Sequence, residues 1–532
     1  MRLESCSLKL TIMKRRDFLR NTVPATVLPA VLNGFSLRTF GAESPLMHLF
    51  AGSPISDHVL VIVQLSGGND GLNTVIPIDT YANYYNARSN IAIPQSSILG
   101  LTAQTGLNPA MTGMKALFDE GKLKVVQACG YPTPNFSHFR ATDIWMSASD
   151  SNQVLINGWQ GRYLNYEYPN FPTGYPTSSM PDPLGIQIGS TTSLTFQGPS
   201  VSMGMSISNP TTFYNLLSGV EDPAPNTNAG KELKYVRLVA KQTSQYATVV
   251  KAAAANVTQQ APYPANNSLA DQLKIVARLV KGGLKTRVYM VSYGGFDTHS
   301  LQTNSTDTTI GNHANLLRNV SNAIKAFQDD LKFLGVEDRV VGMTFSEFGR
   351  RIKSNSSTGT DHGAAAPMFI FGKNVVPGVL GNNPTIPSNA TVNDNVPMQY
   401  DFRSVYATLL ENWLCVKNAD LQQIMLKNFQ NLPLVKNAGC IIAPNTSGNS
   451  YLEIWGTPFV QSTKIVYKTD GGHTLMQIFD TMGRLITTPV DTDLTAGSYT
   501  YTFDSGALAA GVYYVRLQNQ STQQVKPMVK VR

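Results

Sequence analysis

HVLVIVQLSGGNDG, residues 58–71, is a nearly unbroken apolar run that ends in a glycine-rich loop and an acid, Asp70. A strand apolar at successive positions, rather than at alternate ones, is buried on both faces, as in a parallel sheet covered by helices. Such sheets place ligands outside the carboxyl ends of their strands. The same build recurs downstream. TRVYMVSYGGFDTH (286–299) ends in Asp297 and His299, and RVVGMTFSEFG (339–349) carries Glu347. GTDHGAAAPMFIFG (359–372) sets Asp361 and His362 ahead of an apolar run.

Working outward, Lys124–Ala128 and Pro367–Phe371 read as further strands. His313–Leu334 carries Leu316, Leu317, Val320, Ile324, Phe327, Leu331 and Leu334 at helical spacing, and Ser268–Val280 and Phe402–Trp413 are similar. This alternation predicts an α/β domain over residues 55–436, a three-layer fold with a mostly parallel sheet flanked by helices. Between Tyr163 and Asn228 the pattern gives way to Pro, Gly, Ser and Thr, which reads as an insertion or cap over the ligand-binding edge. Residues 437–450, with APNTSGN at 443–449, read as a linker. Over 451–532, short segments at Lys464–Tyr467, Leu475–Phe479, Tyr499–Phe503, Val512–Leu517 and Val525–Val531 predict a small C-terminal β-sandwich.

The 532 residues exceed what one core holds, so two or more domains are expected. Residues 1–42 read as a cleavable leader. MKRRDFLR (13–20) precedes a mildly apolar stretch, Val23 to Leu37, and the small-residue end Phe40-Gly41-Ala42. The arginine pair followed by Phe-Leu is similar to a twin-arginine signal. The leader holds seven basic and two acidic residues, hence five of the eight net positive charges. The remaining chain carries no basic cluster interleaved with aromatics, which argues against nucleic-acid binding. No later segment is long and apolar enough for a transmembrane helix in the mature chain. With 14% charged residues, the composition fits an exported protein. Of four cysteines, Cys6 leaves with the leader, and Cys415 and Cys440 either pair or stand as buried thiols.

Carboxylates and imidazoles converging from separate strand-end loops suit a divalent cation, zinc, manganese or similar. Asp70, Asp297, His299, Glu347, Asp361 and His362 are the candidates. Each also has a plain structural reading: Asp70 as a turn cap, Asp297 as an Asx turn, Glu347 as a partner of Arg350 or Arg351, His362 as a satisfied loop histidine.

Five blocks, VIVQLSGGNDGLNTVIP, NFSHFRATDIW, YGGFDTHSLQ, VGMTFSEFGRR and GTDHGAAAPMFIFG, resemble a secreted bacterial family catalogued as a domain of unknown function (number 1501). That family is grouped with the alkaline phosphatase-like superfamily, and the resemblance covers about residues 55–435. It implies the alkaline phosphatase-like fold with one or two metal ions. It also implies Ser137 as a nucleophile opening a helix, Asp297, His299 and His362 around one metal, and Asp70 and Glu347 toward a second. Two departures stand out. Asp297 and His299 are only two apart, and Phe348, which cannot bind metal, occupies a ligand position; Asp361 is the candidate replacement. Arg140 or Arg350 is the expected cation beside the transferred group. Ser137 also reads as a plain N-cap, His138 as a possible acid or a packed histidine, and Thr133 and Thr142 as weaker nucleophiles. SHFRA lacks the proline of a sulfatase block. The C-terminal pieces IFDTMGRLI and GVYYVRL resemble a type IX secretion sorting domain.

The expected function is thus a secreted metal-dependent hydrolase of phosphate or related esters, acting on a small-molecule or polymeric ester. The expected partners are the twin-arginine and type IX export machineries. The alternative is a non-catalytic surface protein that binds glycans or a partner.

Overall fold

In the computed structural model, the described residues are 57–177, 180–210, 246–436 and, apart from 456, 470, 482–483, 507 and 520–522, 451–531, with two short strands at Ala30–Leu32 and Phe35–Leu37. The rest of the leader and the linker at 437–450 lie outside the described residues. Two compact units result, one within Ser56–Cys440 and one containing the strands from Tyr451 to Lys530.

In the larger unit every apolar run forms a strand. The main sheet consists of β1 (Val59–Leu65), β2 (Leu123–Gly130), β3 (Gly185–Ile188), β4 (Gly204–Ile207), β5 (Val288–Tyr293), β6 (Val340–Phe345), β7 (Ala366–Phe371), β8 (Gly378–Leu380) and the two-residue β9 (Tyr400–Asp401). Its order is β8-β2-β7-β6-β1-β5-β3-β4, with β9 paired to β2. All neighbours are parallel except those of β7, which runs against both β6 and β2.

Alternation along β1 explains the third dimension. Val59, Val61, Val63 and Leu65 face one core, which α2 (Thr112–Asp119), α5 (Ser268–Lys281) and α6 (Asn312–Phe333) help build. Leu60 and Ile62 face a second core with α3 (His138–Ser147), α4 (Trp159–Glu167) and α7 (Phe402–Asn412). The helix α1 (Tyr81–Arg88) belongs to a smaller third cluster. Three layers with a doubly buried central sheet are the α/β architecture expected. Asn267 caps α5, its side chain accepting from the N–H groups of Leu269 and Ala270.

The reading of Tyr163–Asn228 needs correction. This stretch supplies α4 and the strands β3 and β4, which extend the main sheet at one edge. Strands of four residues that open on glycine are too short to show periodicity; residues 211–245 lie outside the described residues.

Cys415 is disulfide-bonded and Cys129 is a buried free thiol; Cys440 lies outside the described residues.

The C-terminal unit is a β-sandwich. A three-stranded sheet (Tyr451–Trp455, Ser462–Thr469, Gly497–Asp504) and a four-stranded sheet (Leu485–Leu494, Gly472–Asp480, Gly511–Gln518, Gln523–Lys530) share one core. Ile465 and Phe503 enter it from one sheet, Ile478, Val515 and Met528 from the other.

Candidate metal centre

Since β1, β5 and β6 are adjacent and parallel, their following loops leave the same edge. The loops are stitched together there. Ser66 N–H donates to the Tyr293 carbonyl (2.9 Å) and Phe296 N–H to the Ser66 carbonyl (3.1 Å). Ser346 Oγ accepts from Asn69 N–H (2.9 Å) and donates to the Leu65 carbonyl (2.7 Å). Gly67 lies at φ +122°, and a Cβ there would stand 2.4 Å from the Asp297 nitrogen, so only glycine lets the loops meet. A hairpin, Arg350–Ser354 with Thr360–His362, sets His362 opposite Arg350. The helix α3, after β2, brings in His138.

Three imidazoles gather around the Asp297 carboxylate where these loops meet. Asp297 Oδ1 lies 3.1 Å from His299 Nε2 and 3.2 Å from His362 Nε2. Asp297 Oδ2 is 3.5 Å from His138 Nε2, and the Nε2 atoms of His299 and His362 are 2.9 Å apart. His138, Asp297 and His362 each offer a ligand atom within 4.8 Å of the others. Atoms bound to one ion at about 2.0–2.2 Å stand roughly 3–4 Å apart, so the arrangement fits a divalent cation. The protonation states fit as well. His362 Nδ1 faces the Phe136 carbonyl at 2.8 Å, and a carbonyl only accepts, so Nδ1 carries the proton and Nε2 the lone pair. Burial also holds His362 below the usual imidazole pKa, favouring the neutral, ligating form.

Arg350 organises the floor. Its guanidinium is fully buried and donates to the carbonyls of Gly68 (2.7 Å), Gly67 (2.5 Å), Thr360 (2.8 Å) and Phe296 (3.1 Å), and to Asp297 Oδ1 (2.7 Å). Partial burial pushes the Asp297 carboxyl up, but the hydrogen bond and charge of Arg350 lead the effects that outweigh it and bring the carboxyl down to about 2. Phe348 lies beneath two imidazoles, with ring centroids 4.9 Å from His138 and 4.5 Å from His362. The residue that cannot ligate therefore supports two that can.

The other expected residues are placed differently. Asp70 is buried away from the cluster, its carboxylate taken by Arg88 Nη1 (2.7 and 2.9 Å) and Gln302 Nε2 (2.6 Å). Burial alone raises that carboxyl, but Arg88 outweighs it and the net shift is downward. Asp70 is thus committed to a buried cation and is not brought into the group. Glu347 is buried and accepts from Gly67 N–H (2.8 Å) and His138 Nδ1 (2.8 Å). Asp361 lies 3.3 Å from His299 Nδ1 and accepts from Asn355 Nδ2 (3.2 Å). Neither carboxylate reaches the centre directly, because an imidazole stands between. Arg140, expected beside the transferred group, instead clamps the loop after α3, donating to the carbonyls of Asp150 (3.2 Å), Ser151 (3.2 Å) and Gln153 (2.5 Å).

Ser137 precedes α3, its hydroxyl exposed and making no capping hydrogen bond. It sits between Phe136, whose carbonyl holds His362, and His138. The sequence reading did not place His138 beside Asp297 and His362. Its only signal was proximity to Ser137, since a first-turn histidine does not reveal which way it points.

Behind the site His313, fully buried, bonds through Nε2 to Asn69 Oδ1 (2.9 Å), and burial lowers its pKa to about 4. The unfolded chain takes a proton near 6.5 that the folded protein refuses until about 4, so stability rises with pH across that window. Urea unfolding at pH 5 is expected to give about 2 kcal/mol less stability than at pH 7.5. His313→Gln is expected to flatten much of that slope. His58, also lowered by burial, contributes in the same direction.

Fold and site together define an α/β protein with a histidine–carboxylate centre suited to a divalent cation. The chain belongs to the family described as Protein of unknown function (DUF1501), whose model matches residues 57–419. Residues 453–531 match the Secretion system C-terminal sorting domain. That domain marks the chain for export, to secretion or attachment at the cell surface, and implies a type IX export machinery as partner. No helix among the described residues is long and apolar enough to cross a membrane. No curated protein matches the chain. Among solved structures the chain is similar to a sulfatase from Pseudoalteromonas sp., at 12% identity over 84% of each chain with a TM-score of 0.32. It is also similar to a protein in the alkaline phosphatase superfamily from Vibrio parahaemolyticus, at 10% identity over 90% of this chain and 83% of that one, TM-score 0.32. At these scores no residue role or activity carries over.

Proposed function

We propose that the protein is an exported hydrolase of phosphate or related esters, assisted by a divalent cation and using Ser137 as nucleophile. The observation that carries this reading is the convergence of three imidazole Nε2 atoms and the Asp297 carboxylate beside an uncapped serine at a helix start. His138, His299, His362 and Asp297 would hold the cation. When bound, such an ion supplies charge that favours an ionised oxygen nucleophile and offsets negative charge gathering on the transferred group.

The chain's own residues supply the rest. Ser137 has a hydroxyl free of capping duty, and the first N–H groups of α3 suit an anionic ester. Attack forms a bond from Ser137 Oγ to phosphorus and breaks the ester bond, and the proton lost by Ser137 ends on the leaving alcohol. Water then releases the serine. Arg350 keeps Asp297 ionised and in place from below. The twin-arginine leader, read at residues 13–20, would export the domain already folded, so the ion would be loaded before export.

Ser137→Ala is expected to lower kcat by at least about a thousandfold while leaving metal content unchanged. The assay is a panel of aryl phosphomonoesters, phosphodiesters and sulfate esters on zinc- and manganese-loaded protein. No turnover of any of them by the wild-type protein would overturn the reading.

A further inference from the structure

Each imidazole at the centre has its outer nitrogen held by a different acceptor. Glu347 Oε1 holds His138 Nδ1 at 2.8 Å, the Phe136 carbonyl holds His362 Nδ1 at 2.8 Å, and Asp361 Oδ1 faces His299 Nδ1 at 3.3 Å. Asp297 faces the same three rings through their Nε2 atoms, so acceptors stand on both sides of each imidazole; with the protons on the Nδ1 side, all three Nε2 lone pairs turn inward, to an ion held beside Asp297. The 2.9 Å approach of His299 Nε2 to His362 Nε2 needs either a proton on one nitrogen or a cation shared by both lone pairs.

We infer that the centre is a three-imidazole, one-carboxylate site (His138, His299, His362 and Asp297) in which Glu347 and Asp361 are positioning residues rather than ligands. This rests on the reading that a cation is held here, and deepens it. Glu347 is the stronger of the two. It is buried and pinned to the loop after β1 by Gly67 N–H, so its charge is fixed against His138. Asp361 is half exposed and farther from its imidazole, so its grip on His299 is weaker. A carboxylate behind a ligating histidine fixes the ring and raises its basicity. Three nitrogens and one oxygen form a borderline donor set, which selects ions of the zinc and cobalt class over magnesium and calcium.

The test uses full-length protein stripped by a chelator and titrated with cobalt(II), followed by its visible spectrum, and with zinc against a chromophoric chelator. The wild type is expected to take up one cobalt per chain, with excess magnesium failing to compete. Glu347→Gln keeps an acceptor for both Gly67 and His138 but loses the charge. It is expected to weaken binding about 10- to 100-fold with the saturated cobalt spectrum unchanged. Asp361→Asn is expected to weaken binding less. A changed spectrum in saturated Glu347→Gln would make Glu347 a ligand and overturn the inference, as would binding as tight as the wild type's. A wild-type protein that takes up no cobalt or zinc would overturn the cation reading itself, a different result from either. Unfolding of the stripped variants, measured alongside, separates altered binding from a damaged fold.

Discussion

Replacing Arg88 with Met is expected to destabilise the α/β unit by about 3–5 kcal/mol, because it strands the Asp70 carboxylate where water cannot reach it. Both side chains are essentially unexposed, and the guanidinium donates to both carboxylate oxygens as well as to the carbonyls of Arg351 and Ile352. One end of this bridge lies on the loop after β1 and the other on α1, so the loss loosens the loop that carries Gly67 and Gly68. Adding Asp70→Asn removes the stranded charge and keeps an acceptor for Gln302; it is expected to return about 1–3 kcal/mol. The sign with pH follows from the same burial. With Arg88 present, Asp70 is held below the ordinary carboxyl range, and its contribution is lost only as pH falls through that lowered value. Without Arg88, burial raises Asp70 above its unfolded pKa, so the folded variant binds more protons than its unfolded chain and gains stability as pH falls. The gap between wild type and Arg88→Met is therefore expected to narrow from pH 7.5 to pH 5. His313, which also feels the Arg88 charge, is depressed less in the variant and narrows the gap in the same direction. Urea midpoints at the two pH values check this, and a gap that stays constant would mean that Asp70 is not the stranded charge.

That bridge also shows where sequence reading stops. Apolar runs located β1, β2, β5, β6 and β7, because continuous burial of a central strand leaves a mark in composition that no partner can alter. The reversal of β7 left no such mark: direction depends on connections, and a strand buried on both faces reads alike either way. Asp297, His299 and His362 were singled out because each follows or precedes a strand through a glycine-bearing loop, and the structure brings their side chains together. Asp70 had the same signature and a different fate. Its partner, Arg88, comes 18 residues later in a helix of tyrosines and asparagines, where nothing marks it as buried. Glu347 and Asp361 carry the same mark, but each meets an imidazole, His138 and His299, since sequence shows that an acid is near and not what stands beside it.

Removing one inner-layer imidazole is expected to have the largest effect on the ion. His362→Ala takes away the ligand with the best-defined tautomer, held by a backbone carbonyl and lowered in pKa by burial, without stranding a buried charge. If a complete four-ligand site of this kind contributes about 10–16 kcal/mol, one ligand accounts for roughly 2.5–4, so affinity is expected to fall about a hundred- to a thousandfold. The readout is independent of turnover. An ion that binds only the folded state stabilises it, by about 2.7 kcal/mol at a hundred times Kd. At a fixed zinc concentration chosen to give that gain, the wild type melts higher with metal than with chelator. His362→Ala is expected to show little or none of the difference, and the two chelated proteins are expected to melt within a few degrees of each other. The side chain lies against His138, His299 and Phe348, so its loss opens the middle of the ring cluster while the Arg350 floor remains. A zinc-dependent shift as large in His362→Ala as in the wild type would place the bound ion elsewhere on the molecule, and Ser137 would then lose the charge its chemistry requires.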